Sequence, residues 1–156
     1  MELLAIDPGP VQSAWVAYET EMDRVLAHDY EPNAVILSRC DWGGVRQFVR
    51  VIEMIASYGM PVGKEVFETC VWIGRFDHLH LAHLVYRKDV KMHLCGSMRA
   101  KDSHIRQALI DMFPATGGGK VPQIGTKKEP GPLYGIKGDE WSALAVAVTW
   151  SDLHAA

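Results

Sequence analysis

The chain has 156 residues and 48% apolar content, enough for one domain with a proper core, while its formal net charge of −3 excludes a uniformly basic nucleic-acid binder. No apolar run approaches the roughly 20 residues of a membrane-spanning helix, and the opening MELLAIDPG has neither a basic segment nor a cleavage pattern, so no leader is expected. Cys40, Cys70 and Cys95 are odd in number and lack CxxC spacing, which disfavours a disulfide scaffold and fits a reducing cytoplasm.

In chain order, Leu3 to Asp7 is a short apolar strand stopped by Pro8-Gly9-Pro10. Ser13 to Glu19 and Arg24 to Tyr30 read as two further strands joined by the polar turn TEMD, an antiparallel hairpin. Asp41 can cap a helix from about Gly43 to Tyr58, with Val45, Phe48, Val49, Ile52 and Ile55 on one face and Gly59 and Pro61 ending it. Lys64 to Thr69 then reads as a strand carrying Glu68 near its end, Phe76 to Arg87 as a helix, and Val90 to Cys95 as a strand. A helix follows from about Ala100 to Phe113, with Ile105, Ala108, Leu109 and Met112 as its apolar stripe.

Residues 114–138 hold most of the later glycines and prolines and few residues to bury, so a flexible loop is expected there; a loop of this length is usually functional or disordered. A last helix spans about Asp139 to Leu153. Strands interleaved with helices predict an α/β fold, a mixed sheet with helices on its faces, in one domain over 1–156.

Charge is unevenly spread. Between Arg99 and Lys137 seven basic residues face three acids, a balance of +4 that leaves −7 for the rest. Such a flank beside an acidic site suits a phosphate backbone, and a solvated surface of uneven charge is the plainer alternative. The acidic site is framed by Asp7, Glu68 and Asp139-Glu140. Hard divalent ions take oxygen ligands, and a pair of them can hold both oxygens of an in-line phosphoryl displacement.

Each group has an ordinary alternative. Asp7 before Pro-Gly can merely finish a strand. Glu68, amid the apolar VFETCV, needs a metal or a cation such as Lys64, Arg75 or Arg99. Asp139 and Glu140 can merely cap a helix. His78, His80 and His83 do not complete a zinc set, and the run Gly117 to Gly119 lacks the parts of a phosphate-binding loop.

IDPG near the start, a glutamate ending the fourth strand and an acidic turn leading into SALAVAVT together resemble the RuvC group of Holliday-junction resolvases, of ribonuclease H-like fold. KDSHIRQALIDMFP resembles that group's segment in which a lysine precedes an amphipathic helix. The resemblance spans most of the chain in order and spacing. It implies a mixed five-stranded sheet flanked by helices, and cleavage of branched DNA such as a four-way junction by a homodimer. It also implies two Mg²⁺ or Mn²⁺ ions per active site. The small size points to a phage or prophage branch.

Under this resemblance Asp7 is the first-strand aspartate, Glu68 the central glutamate and Asp139 the first acid of the last helix. The family's second acid of that helix falls on Ser142, so Glu140 or a water would complete the ligand set. Lys101 matches a lysine near the scissile phosphate. Trp72, beside Val71 at the family's aromatic wedge, can stack on bases or pack in the core. Arg99, Lys101, Arg106, Lys120, Lys127 and Lys128 would follow the DNA backbone. A broader flap or fork nuclease and an inactive DNA-binding scaffold are the alternatives on the same fold.

Overall fold

The computed structural model describes residues 1–40, 48–77 and 82–155. Strands β1 (Glu2–Asp7), β2 (Gln12–Glu19) and β3 (Arg24–Pro32) form an antiparallel meander, as the hairpin pattern predicts. Helix α1 (Asn33–Cys40) follows, then β4 (Val49–Met54), α2 (Lys64–Asp77), β5 (His83–Tyr86), α3 (Arg87–Cys95), α4 (Asp102–Met112) and α5 (Glu140–Leu153). The sheet order is β3-β2-β1-β4-β5, with β1, β4 and β5 parallel to one another. The expected mixed five-stranded sheet flanked by helices is present.

The middle of the chain departs from expectation, element by element. Of the segment read as a helix from Gly43 to Tyr58, Val49–Met54 form strand β4, whereas Phe48 and residues 55–58, with Ile55, are irregular; residues 41–47, with Asp41 and Val45, lie outside the described residues. Val49, Val51 and Ile52 are β-branched and sit in a central strand covered on both faces, so the apolar run carries no alternation to mark it. Lys64 to Thr69 is not a strand but the start of α2, where Lys64 and Glu68 pair one turn apart at 3.3 Å and Thr69, Ile73 and Phe76 form the buried stripe. Val90 to Cys95 belongs to helix α3, closed by Gly96 at φ 66°. The helix expected from Phe76 to Arg87 gives way to β5, with 78–81 outside the described residues.

Strand alternation divides the core. Leu3 and Ala5 of β1, Val51 of β4 and Val85 of β5 join the larger cluster with α3, α4 and α5, whereas Ile6 and Ile52 pack with Ile36, Ile73 and Phe76 of α1 and α2. Helix α5 is buried on nearly every side, and Ala143, Ala145 and Ala147 let it lie close against the sheet.

Residues 114–138 are irregular, as their composition indicates, but they are not short of buried groups. Leu133 and Ile136 enter the larger cluster, and backbone bonds such as Gly118 N–H to Glu129 O and Gly131 N–H to Ile124 O knit the segment to itself. A Cβ on Gly117 would stand 2.7 Å from backbone atoms of Pro122, Gly125 and Gly131, so its loop strands pack backbone on backbone.

Candidate active site

The three parallel strands end at the same edge of the sheet, where open α/β sheets present ligand sites. Asp7 closes β1, and Glu53 stands next to the last residue of β4. Ile6 pairs with Ile52, so the two acids are neighbours across the β1–β4 ladder. Successive side chains alternate across a strand: Asp7 follows Leu3 and Ala5, and Glu53 follows Val51, so both carboxylates fall on the face covered by α5. Asp139 caps α5 at this edge, and with Asp7, Pro8, Gly9 and Tyr30 it lines one cleft.

A buried network fixes the turn after Asp7. The Gly9 N–H donates to Ser13 Oγ at 3.0 Å, that hydroxyl donates to Asn33 Oδ1 at 2.6 Å, and Asn33 Nδ2 returns to the Gly9 carbonyl at 2.9 Å. A Cβ on Gly9 would meet the Gln12 carbonyl oxygen at 2.3 Å, so the tight turn requires glycine. This is local chemistry that holds a carboxylate at a strand end.

Crowding of acids marks the site electrostatically. Burial, then the charge of Glu53 and a hydrogen bond to it, then the charge of Asp139, push the Asp7 carboxyl up to about 9, with Arg87 opposing them. Glu53 is buried, and Arg87 Nη1 stands 3.5 Å from its Oε1. The other guanidinium nitrogen of Arg87 binds Asp102, the residue after Lys101. Asp139 makes no capping hydrogen bond with its side chain and is exposed, so capping does not consume its carboxylate. Oxygen donors of this kind suit a hard divalent cation. Among the described residues no three His, Cys, Asp or Glu groups stand close enough, as placed, to surround an ion, so binding one requires side-chain adjustment.

Two expected ligands lie elsewhere. Glu68 is on α2, paired with Lys64, and is absent from the charges acting on Asp7; the strand-end glutamate beside Asp7 is Glu53. Glu140 is 1% exposed and occupied: its Oε2 meets His28 Nδ1 at 2.7 Å and accepts the Lys137 N–H at 3.1 Å. Glu140 therefore anchors the start of α5 to β3 rather than facing Asp7. Trp72 packs against the smaller cluster, tilted on Phe76 and covered by the Arg75 guanidinium, across the sheet from Asp7 and Glu53.

The basic residues are distributed as follows. Lys101 is exposed and immediately precedes α4, its N–H held by His104 Nδ1 at 3.0 Å. Through Asp102 and Arg87 its backbone is tied to Glu53, which brings Lys101 to the acidic edge. Arg106 lies over the Trp141 ring, 4.9 Å from its centroid. Arg99 is exposed at the α3–α4 cleft. Lys120, Lys127 and Lys128 are exposed on the loop, the last two inside a turn closed by Thr126 and Glu129. His78 and His80 lie outside the described residues, and His83 packs on Trp150.

Sequence reasoning missed Glu53 and Arg87. The signal for Glu53 was the string VRVIEM, β-branched and with an acid two residues after Val51, the same arrangement as Ala5 and Asp7 in LLAID. No comparable signal marked Arg87, which depends on the end of β5.

No protein-family model matches the sequence, and comparison with curated proteins gave no match. Solved structures do match. A Thermus thermophilus RuvC structure aligns over 96% of this chain and 92% of that one, with TM-score 0.57 and 16% identity. T. thermophilus RuvC in complex with Holliday junction substrate aligns over the same shares, with TM-score 0.61 and 16% identity. The chain has a RuvC-like fold of the ribonuclease H type.

Proposed function

We propose that the chain is a Mg²⁺- or Mn²⁺-dependent endonuclease that cuts branched DNA, four-way junctions foremost. The observation that carries this reading is the meeting of Asp7, Glu53 and Asp139 at one sheet edge, with a carboxyl driven to retain its proton. Similarity to RuvC in complex with Holliday junction substrate supports the choice of substrate. Asp7, Glu53 and Asp139 are the proposed metal ligands. A divalent ion held there supplies Lewis-acid activation of the phosphodiester.

The chain's own groups do the rest. Asp7 hydrogen-bonds Glu53, and the two carboxyls with Asp139 would hold the ion. Lys101 offsets charge on the scissile phosphate. Arg99, Arg106, Lys120, Lys127 and Lys128 follow the backbone of the DNA arms. Two matched nicks need two sites, so a twofold homodimer is part of the proposal. The outward Phe67 and Val71 of α2, 62% and 53% exposed, offer an apolar surface for the second copy. Action in the cytoplasm goes with this reading.

A digest of junction, flap, fork and linear duplex in Mg²⁺ tests the proposal. Faster cutting of the junction, lost in Asp7→Asn while binding in Ca²⁺ persists, supports it; equal rates on all four favour the broader nuclease. Ser142, without a carboxylate where the resembled family carries one, favours a second reading, a DNA-binding scaffold without catalysis. Junction binding with no cutting in either Mg²⁺ or Mn²⁺ would establish that reading.

A further inference from the structure

We propose that Tyr30 is a stacking platform for one unpaired base of the DNA, on the nucleotide next to the phosphate that meets the acidic edge. This rests on the nuclease reading and names how that site selects a branch over plain duplex. Asp7 of β1 pairs with Ala14 of β2, and Ala14 in turn pairs with Tyr30 of β3. Directly opposed residues of antiparallel strands put their side chains on one face. The three therefore form one row on the α5 face, where Ala14 is buried in the larger cluster. Its methyl group is too small to screen Tyr30 from Asp7. Two strand spacings set the Cα atoms of Asp7 and Tyr30 about 10 Å apart, a span of the order of one nucleotide from phosphate to base.

The surroundings of the ring are held in place while the ring itself is left uncovered. Two residues back on the same face of β3, His28 is fixed by Glu140 at 2.7 Å. The Tyr30 N–H donates to Asp29 Oδ1 at 2.8 Å, and the Asn33 N–H donates to the Val11 carbonyl at 3.0 Å. Yet Tyr30 is 45% exposed, and among the described residues its ring stacks on no other. Strand propensity accounts for a tyrosine in β3, but not for an uncovered ring in the row of Asp7. With Pro10 and Val11, the latter 69% exposed, it gives an apolar surface to the cleft that also holds Asp7 and Asp139. That cleft is about 240 Å³, below the roughly 300–1,000 Å³ of pockets that enclose a small molecule, so it suits a single ring. An aromatic face accepts any base, but a base inside a duplex has both faces covered. Unstacking costs least where a base is already unpaired, so the platform favours a branch.

The test uses the full chain in Ca²⁺, so that it does not depend on cutting. Four-way junctions carrying 5-iodouracil at each branch nucleotide in turn are bound and irradiated. A cross-link to Tyr30 is expected from a branch position, and none from positions paired within an arm. Tyr30→Ala should lose that adduct and bind the junction about 5–150-fold more weakly, with duplex binding unchanged. Tyr30→Phe keeps the ring and should bind as the natural protein does. The difference between Tyr30→Ala and the natural protein should vanish on a junction abasic at the cross-linked position, which a merely structural role would not produce. No adduct at Tyr30, or a binding loss that persists on the abasic junction, overturns the inference and leaves the nuclease reading intact. Junction binding without cutting in Mg²⁺ or Mn²⁺ overturns the nuclease reading, and the cross-link still decides the platform.

Discussion

Replacing Asp7 by Asn should remove activity and stabilise the protein without metal. The native environment raises this carboxyl from 3.8 to about 9. A group whose folded pKa lies above its unfolded one contributes stability that is fully present below the unfolded value and is lost as pH rises toward the folded value. Wild-type stability in chelator therefore falls between about pH 4 and pH 9, because the unfolded chain releases a proton that the folded chain retains. Each unit of difference is worth about 1.4 kcal/mol. Asp7 is partly open to solvent, so we take only about 2–3 kcal/mol at pH 8.

Asn keeps the shape and a hydrogen-bonding group for Glu53 but cannot ionise. For a chain of this size, about 2–3 kcal/mol corresponds to a Tm rise of roughly 5–10 °C. The assay is thermal unfolding of both proteins in EDTA at pH 4.5 and pH 8, repeated with Mn²⁺. The variant should melt higher at pH 8 and nearly level with wild type at pH 4.5. Mn²⁺ should raise the wild type, because a ligand bound only by the folded state stabilises it, and leave the variant nearly unmoved. A variant that melts level with or below wild type in EDTA at pH 8 would falsify the crowded-carboxylate account of the site.

Exchanging the two candidate glutamates separates β4 from α2: Glu53→Gln should cut at least about 10²-fold more slowly, whereas Glu68→Gln, which loses an exposed pair, should keep its rate and shift stability by less than about 0.5 kcal/mol. Cleavage kinetics and chemical denaturation read both, and a rate loss confined to Glu68→Gln reverses the assignment. His28→Ala leaves the buried Glu140 without its partner and should cost about 1–3 kcal/mol in urea unfolding; an unchanged midpoint would show that the pair anchors nothing. Lys127→Ala with Lys128→Ala should weaken junction binding and flatten the dependence of log K on log salt by about 2. An unaltered slope in filter binding removes that turn from the DNA surface.

How much of this was legible in the sequence depended on whether a segment's pattern had one meaning. The opening meander was clear, since LLAID stops at Pro-Gly and a polar turn separates two alternating runs. The last helix was clear too, and with it Asp139. VRVIEM was not, because a central parallel strand buried on both faces shows no alternation, and its spacing also satisfies a helix. Reading it as a helix moved the fourth strand onward to KEVFET, whose Lys64–Glu68 spacing belongs to a helix. The glutamate assigned to the strand end moved with it, from Glu53 to Glu68. Glu140 was ambiguous for another reason: His28, its partner, lies on β3, far away in sequence, and no local pattern announces the pair.

The period of two explains why the site is nonetheless economical to build. Leu3, Ala5 and Asp7 share one face of β1; Val51 and Glu53 share that face of β4; Val85 precedes Arg87 by the same step at the end of β5. In β1 and β4 the last step of the core-facing row is an acid, and Arg87 follows directly after β5 as the first residue of α3. The side chains that bury the sheet against α5 thus fix the register of the groups that meet beyond it. A one-residue slip in β4 would send Glu53 to the α1–α2 face and Ile52 toward α5, losing core and site together. Folding this sheet correctly and assembling its acidic edge are, for these three strands, the same event.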